Sequence, residues 1–234
     1  MRELTSKDWA GTVSASIGSS ATPATTIEAQ QEKSTQQEKP ETTHLSVIDK
    51  DGNAVAMTTT INGSFGSCVV AKGTGVLLND EMDDFAIAPG VPNLYGVRGG
   101  SENAPGPGRV PLSSMAPTFV FDPGGVLRLA VGAAGGSTIP TTVAQIISHF
   151  IDDKMSVDRA LAAPRIHDQL FPDEVRIEAN GLEASTAAAL VARGHKLDFV
   201  DQIIGAAQAV SFDPATGFCA AAGDPRIGGA GAVP

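Results

Sequence analysis

The chain has 234 residues, of which 42% are hydrophobic and only 18% charged, and its formal net charge is -10 with a pI near 4.7. This length and apolar content predict one well-buried domain with a tail. Proteins that bind nucleic acid or anionic membranes concentrate Lys and Arg, so the acidic balance argues against both kinds of partner.

The sequence has no apolar run long enough to span a bilayer, and its first residues lack the apolar core of a secretory signal. Its two cysteines, Cys68 and Cys219, stand far apart with no His at ligand spacing, which argues against a disulfide framework or a zinc site. We therefore expect two buried free thiols, no metal, no cofactor and no membrane span.

Residues 10–41 are rich in Ser, Thr, Ala, Gln and Glu and contain neither Leu nor an aromatic residue. Such a segment cannot bury enough surface to offset its ordering entropy, and its composition predicts a flexible linker. At Thr42 the composition changes abruptly to alternating apolar and β-branched residues. The sequence therefore predicts a tail and linker over residues 1–41 and a folded domain over residues 42–234.

The first element of that domain is a β-hairpin, because HLSVID and DGNAVAMTTTI flank a turn rich in Asp and Gly. If Lys50, Asp51 and Gly52 form a three-residue loop with the glycine in the left-handed region, Thr60 lies opposite Thr42, within one residue. Two threonine hydroxyls would then meet at the mouth of a sheet.

The remaining elements are strands and helices in alternating blocks. We predict strands at 118–121, 126–132, 175–178, 207–212 and 218–222, a helix at 138–152, and a second helix at 183–193 that ends at Gly194. The first helix should bury a face that carries Val143, Ile146, Ile147, Phe150 and Ile151. This order predicts an α+β domain in which an antiparallel sheet stack is covered by helices.

Four motifs then occur in one order: TTHLSVIDKDGNAV, LLNDEMDDF, PLSSMAPT and GAAGGS. Together they resemble the small subunit of γ-glutamyltranspeptidases over residues 42–226, and the opening LTSKDWA resembles the end of that family's large subunit. The resemblance implies an αββα sandwich of the N-terminal nucleophile hydrolase type, incomplete without the large subunit. It also makes residues 42–234 the catalytic small-subunit domain.

In such enzymes the precursor cuts itself, which here would separate Glu41 from Thr42. The Thr42 hydroxyl would attack the Glu41 carbonyl, and the freed α-amine, with an ordinary pKa of about 7.7 to 8.0, would then act as the base for the same hydroxyl. No catalytic His is needed, and we expect structural or surface roles for all four histidines.

The resemblance also implies roles for other residues. Thr60 would hydrogen-bond the nucleophile, and the backbone amides of Gly135 and Gly136 would form the oxyanion hole. The remaining residues implied to bind the donor or cover it are Asn62, Glu81 and Asp84 for its ammonium, Ser113 and Ser114 for its α-carboxylate, and Tyr95 in a lid loop. The residues alone are also consistent with simpler interpretations. Thr60 would then be an ordinary strand threonine and the glycine pair a turn, while the acidic residues would form a solvated turn and the two serines would be turn residues.

The function implied is hydrolysis or transfer of the γ-glutamyl group of glutathione and similar amides to water, an amino acid or a peptide. A large subunit of the same family would form a heterodimer with this chain and supply most of one helical layer and an arginine for the donor carboxylate. Family resemblance implies a periplasmic or extracellular location. The alternatives are a β-lactam side-chain acylase that acts on glutaryl or cephalosporin substrates, and a non-catalytic orphan fragment.

Overall fold

A computed structural model describes residues 4–27 and 42–233. The α-helices within these residues are α1 (Lys7–Ser16), α2 (Ala24–Ile27), α3 (Ile139–Ile151), α4 (Val157–Ala162) and α5 (Ala184–Ala192). The strands are β1 (Thr43–Ile48), β2 (Ala54–Thr59), β3 (Thr118–Phe121), β4 (Leu127–Ala134), β5 (Ile166–His167), β6 (Val175–Glu178), β7 (Leu197–Val200), β8 (Ala206–Asp213) and β9 (Phe218–Gly223).

The predicted hairpin is confirmed as an antiparallel pair of β1 and β2, with Thr43 opposite Thr59. The Asp49 amide donates to the Asn53 carbonyl across the turn at 2.9 Å, which leaves residues 50–52 as a three-residue loop. Gly52 has φ +82°, a conformation that a residue without Cβ adopts at little cost. The loop therefore fixes the register that brings the two strand ends together beside Thr42.

A second, fully antiparallel sheet has the strand order β3-β4-β8-β9. One of its faces packs on the hairpin, and the other packs on α3 and α4. The core lies between this sheet and the helices, where Leu129, Val131, Ile139 and Leu161 are at most 1% exposed. Hairpin, sheet and helices thus form three stacked layers.

Helix α3 confirms the predicted helix to within one residue at each end. Val143 and Ile146 are buried, and Ile147 and Phe150 pack against the core, whereas Ile151 is exposed. Pro140 stands in the first turn, where its missing amide hydrogen costs no helical hydrogen bond.

A third sheet, of order β5-β6-β7, was only partly predicted. Its β6 matches the expected strand at 175–178, but β7 and helix α4 were missed, and β6 pairs with β7 in parallel. The two stacked sheets are antiparallel as expected, whereas this smaller third sheet also contains a parallel pair that was not predicted. The parallel pair arises because α5 connects the two strands as a crossover.

Two smaller expectations also fail. The predicted linker begins at residue 10, yet α1 continues to Ser16, with the Ser6 hydroxyl accepting from the Trp9 amide as a cap. Cys68 is exposed and Cys219 half-buried, so the two free thiols are not buried as expected. Residues 28–41 lie outside the described residues.

The outer face of the hairpin is not covered by any described element. Alternation along β1 and β2 places Leu45, Val47, Val55 and Met57 on this face, and they are 41% to 52% exposed. The hairpin, the four-stranded sheet and the helices correspond to three layers of the αββα sandwich that the resemblance implies, and among the described residues no helical layer covers the hairpin. Among residues 4–27 and 42–233, no helix is long and apolar enough to cross a bilayer.

Candidate active site

The structure brings two threonine hydroxyls together at the open end of the hairpin. The Thr42 hydroxyl donates to Thr60 Oγ1 at 3.0 Å, and the Asn62 amide donates to the same Thr60 oxygen at 2.9 Å. Both threonines are half-buried. The predicted pairing of Thr42 with Thr60 is therefore present, and it follows from the strand register. The Glu41 side of the expected scission bond lies outside the described residues.

A small, open cleft surrounds this pair. Its walls contain nearly all the residues that the sequence singled out, together with two that it did not: Thr42, Thr60, Asn62, Glu81, Asp84, Tyr95, Ser113, Ser114, Met115, Gly136 and Ile139. Residues separated by more than 90 positions in the sequence thus line one concave site. This convergence is what a substrate pocket requires.

Two carboxyl groups face this cleft without a basic partner among the described residues. Burial, and after it the charge and the hydrogen bond of Asp84, raise the pKa of Glu81 to about 7. Burial, then the charges of Asp83 and Asp80, also raise the pKa of Asp84, although its hydrogen bond with Glu81 acts in the opposite direction. The pair therefore holds part of a shared proton at neutral pH, and binding of a cation would expel that proton to solvent.

The glycine turn joins β4 to α3. Gly135 and Gly136 have φ values of +135° and +54°, and a Cβ on Gly135 would lie 2.8 Å from Gly205 Cα. Only glycine fits there without moving the backbone. Gly136 lines the cleft at the N-terminal end of the α3 segment, where helix amides favour negative charge. Gly135 lies behind it and is not part of the cleft wall.

Tyr95 of the predicted lid loop is held at several of its atoms. Its hydroxyl donates to the Asn62 carbonyl at 3.0 Å, and its ring lies so close to Gly136 that a Cβ there would overlap it. The Tyr95 amide donates to Asn93 Oδ1 at 3.0 Å. The lid therefore crosses the cleft between the threonine pair and the glycine turn.

Ser113 and Ser114 form another part of the wall. Ser114 is half-buried and Ser113 exposed, and the Met115 amide donates to Ser113 Oγ at 3.2 Å. Ser113 thus makes the turn contact that its residue type favours while it also borders the cleft.

His44 lies directly beneath the threonine pair, between the hairpin and β4. Its two ring nitrogens contact Thr58 Oγ1 at 2.8 Å and Ser46 Oγ at 2.9 Å. Burial lowers the pKa of His44 to about 4, so the ring is neutral at physiological pH. The ring also fills the space beside Gly132, where a side chain would overlap it. Its role is structural, as expected.

Sequence reasoning missed two groups that support the site. One is a buried cluster of Arg165, Glu178, Asp224 and Arg226. Arg165 donates to the Gly205 carbonyl at 2.9 Å, and Gly205 is the residue that backs Gly135. The other is Gln169, beside the lid. Neither follows a sequence pattern, because the decisive contacts, Arg165 with Asp224 and Gln169 with Tyr95, join positions 59 and 74 apart in the sequence.

The stacked sheets, the helical layer and a threonine at the start of the inner hairpin define the class of N-terminal nucleophile hydrolases. A family model described as gamma-glutamyltranspeptidase matches residues 1–233. The chain is 47% identical to the glutathione hydrolase proenzyme of Escherichia coli over 189 residues, which is 81% of this chain and 32% of that proenzyme. The chain belongs to the γ-glutamyltranspeptidase family.

Solved structures agree with this assignment. A mutant of the Helicobacter pylori gamma-glutamyltranspeptidase matches with 46% identity and a TM-score of 0.75, over 79% of this chain and 99% of that one. A cephalosporin acylase from Bacillus halodurans matches with 27% identity and a TM-score of 0.76, over 96% of this chain and 38% of that one. The chain spans about a third of the length of the curated relatives it matches.

Proposed function

We propose that this chain is the catalytic part of an enzyme that hydrolyses glutathione and other γ-glutamyl amides, or transfers their γ-glutamyl group to an amine. The observation that carries the proposal is the Thr42–Thr60 hydroxyl pair in one cleft with the Glu81–Asp84 carboxyl pair. Family membership supports it.

The chemistry begins when the bond between Glu41 and Thr42 is cut and Thr42 gains a free amine. That amine takes the proton of the Thr42 hydroxyl as its oxygen attacks the γ-carbonyl carbon of the donor. The C–N bond breaks, the leaving amine takes the proton, and an ester to Thr42 remains. Water or an acceptor amine then attacks the ester carbonyl, and the Thr42 amine takes its proton. The ester C–O bond breaks, the Thr42 oxygen receives that proton, and glutamate or a new γ-glutamyl amide leaves. The amides at Gly135 and Gly136 would stabilise the oxyanion.

The donor carries an ammonium and a carboxylate on its α-carbon. The uncompensated pair of Glu81 and Asp84 offers negative charge for the ammonium, and the Asn62 side chain borders the same space. The hydroxyls of Ser113 and Ser114 offer donors for the carboxylate. This division matches an amino-acid head group and would have no purpose for a donor that lacks an α-amine.

The partner that completes the protein is a large subunit of the same family. Leu45 stands opposite Met57 and Val47 opposite Val55 on the bare outer face of the hairpin. The loop after Asn62 adds further exposed apolar side chains, namely Phe65, Val69, Val70 and Val76. Patches of this kind are uncommon on isolated proteins. The matched part is about a third of the length of the curated relatives, so we infer that the part of such a protein outside the match covers this apolar face.

The central experiment is Thr42→Ala, made in the chain assembled with a large subunit and compared with Thr186→Ala. Thr186 is an exposed threonine on α5, outside both the cleft wall and the hairpin, which makes it a matched control. We expect Thr42→Ala to abolish scission at residue 42, by intact mass, and turnover of a γ-glutamyl anilide. Thr186→Ala should keep both. Turnover by the alanine variant at position 42 would refute the mechanism.

The partner surface is tested by Val47→Asp, with Val191→Asp as the control. Val191 is an equally exposed apolar residue on α5, distant from the hairpin in sequence and layer. A charge buried in the expected interface should prevent assembly with the large subunit, measured by size-exclusion chromatography of the co-expressed chains. Normal assembly of Val47→Asp would place the large subunit on another surface.

Two other functions predict different results for the loss of Asp84 and for scission at residue 42. An acylase for glutaryl side chains would tolerate loss of Asp84, because a glutaryl donor has no α-ammonium. A non-catalytic orphan would remain a single uncut species of 23.8 kDa after co-expression with a large subunit.

A further inference from the structure

Gln169 joins the lid to the glycine turn from outside the cleft. Its side-chain nitrogen donates to the Tyr95 carbonyl at 3.1 Å and to the Phe171 carbonyl at 3.2 Å. Its side-chain oxygen accepts from the Ser137 hydroxyl at 2.6 Å and contacts His167 Nε2 at 2.9 Å. One amide group therefore contacts the lid on one side and the residue after Gly136 on the other.

The orientation of this amide is determined by its partners. Backbone carbonyls only accept, so the nitrogen of Gln169 must face Tyr95 and Phe171, and the oxygen must receive hydrogens. Burial lowers the pKa of His167, which keeps the ring neutral with one proton. That proton then lies on Nε2, towards Gln169. Nδ1 lies 2.8 Å from the Thr141 hydroxyl oxygen, whose one hydrogen is shared between this nitrogen and the Thr138 carbonyl at 3.0 Å.

The network ends on Tyr95, which lines the cleft, and on Ser137, which follows the cleft residue Gly136. Tyr95 is held by its hydroxyl to Asn62 and by its carbonyl to Gln169, so its ring is fixed over Gly136 from both ends. Ser137 belongs to the turn that leads into α3. A second contact acts in the same place, since the Arg98 guanidinium of the lid lies 5.5 Å from the centre of the Phe171 ring.

We propose that Gln169 is a positioning residue that keeps the lid closed over the glycine turn and thereby sets how the acyl-enzyme divides between water and an amine acceptor. This inference rests on the proposed function. A closed lid excludes water from the ester, whereas an acceptor bound at the site remains in place to attack it. A loosened lid admits water and shifts the division towards hydrolysis.

The test is Gln169→Glu in the assembled protein. Glutamate keeps the acceptor that Ser137 and His167 need but replaces the donor to Tyr95 with an oxygen that repels its carbonyl. At a fixed concentration of a dipeptide acceptor, we expect the ratio of transfer to hydrolysis to fall at least fivefold. The ratio reports only on the acyl-enzyme. A merely structural defect that lowers the amount of active protein leaves it unchanged.

The matched control is Gln202→Glu, the same substitution at an exposed glutamine beside Arg176. It should keep the ratio of the unsubstituted protein within a factor of 1.5, and a comparable fall there would overturn the proposal because charge alone would then explain the effect. An unchanged ratio in an active Gln169→Glu protein would overturn it as well.

A second measurement covers the case in which Gln169→Glu prevents self-scission. In the uncut Thr42→Ala protein, hydrogen exchange of the peptide 90–99 should become at least threefold faster when Gln169→Glu is added. Equal exchange would overturn the proposal. If the unsubstituted assembly turned over no γ-glutamyl donor, the proposed function would fail, and faster exchange would still support the contact between Gln169 and the lid.

Discussion

The molecule contains two pairs of acidic residues in opposite electrostatic situations. Glu178 and Asp224 are buried and face Arg165 and Arg226, and Arg226 forms a two-bond fork with Glu178 at 2.9 and 2.6 Å. Glu81 and Asp84 border the cleft, and no ion pair to either is found among the described residues.

The pKa values express this difference. The pKa of Asp224 is lowered: although its burial acts to raise it, Arg165 and the backbone amides of Ala207 and Arg226 outweigh that cost. At Glu81 burial is not opposed, and the pKa rises to about 7. The Glu178–Asp224 pair has arginine partners and stabilises the fold. The Glu81–Asp84 pair has no basic partner among the described residues and is therefore suited to bind a cation from outside.

The largest effect is expected where the satisfied pair is broken. Asp224→Asn keeps the shape but leaves Arg165 buried without its countercharge, at a cost of about 3 kcal/mol in the free energy of unfolding. We expect the Tm of the purified protein to fall by about 10 °C in thermal unfolding followed by circular dichroism. A fall below 2 °C would show that the backbone carbonyls around Arg165 suffice to hold it.

Asp84→Ala removes one member of the Glu81–Asp84 pair, and here we expect the main loss in catalysis. Loss of the ammonium partner should lower kcat/KM for a γ-glutamyl anilide about 100-fold, as for a removed charge pair in a binding site. For a glutaryl anilide, which lacks the α-amine, the loss should stay below about fivefold. Equal losses on both donors would mean that Asp84 supports the fold of the cleft and does not bind the ammonium.

Glu81→Gln tests the same carboxyl pair through the pH dependence of donor binding. A donor ammonium favours the ionised carboxylate, so binding below pH 7 must expel a proton from a group whose pKa is about 7. The donor KM should therefore fall about tenfold between pH 6 and pH 8, and in Glu81→Gln by less than about threefold. Identical pH profiles of KM would assign the dependence to another group.

The smallest effect is expected at an exposed ion pair. Lys50 and Asp51 meet at 2.7 Å with side chains 86% and 63% exposed. Water screens such a pair, and Lys50→Ala should change Tm by less than about 2 °C, measured beside Asp224→Asn. A larger change would indicate that the turn itself depends on this contact.

Much of the site was predictable because it follows from local rules. The Asp-Gly turn sets the register of β1 and β2, and that register alone brings Thr42 to Thr60. Helix α3 was predicted because its apolar spacing is regular over 13 residues. By contrast, α4 has six residues and β7 only four, too few for a period to stand out.

The sequence by itself determined the hairpin, its register, the glycine turn and the order of the motifs, because each depends on residues close together in the chain or on side chains with one special property. Only the tertiary structure decided that Glu81 and Asp84 have no countercharge within residues 4–27 and 42–233, that Arg165 supports the glycine turn through Gly205, and that Gln169 connects Tyr95 to Ser137. These are contacts between side chains brought together from distant positions, and their energies depend on burial and on hydrogen-bond geometry, which no local pattern encodes.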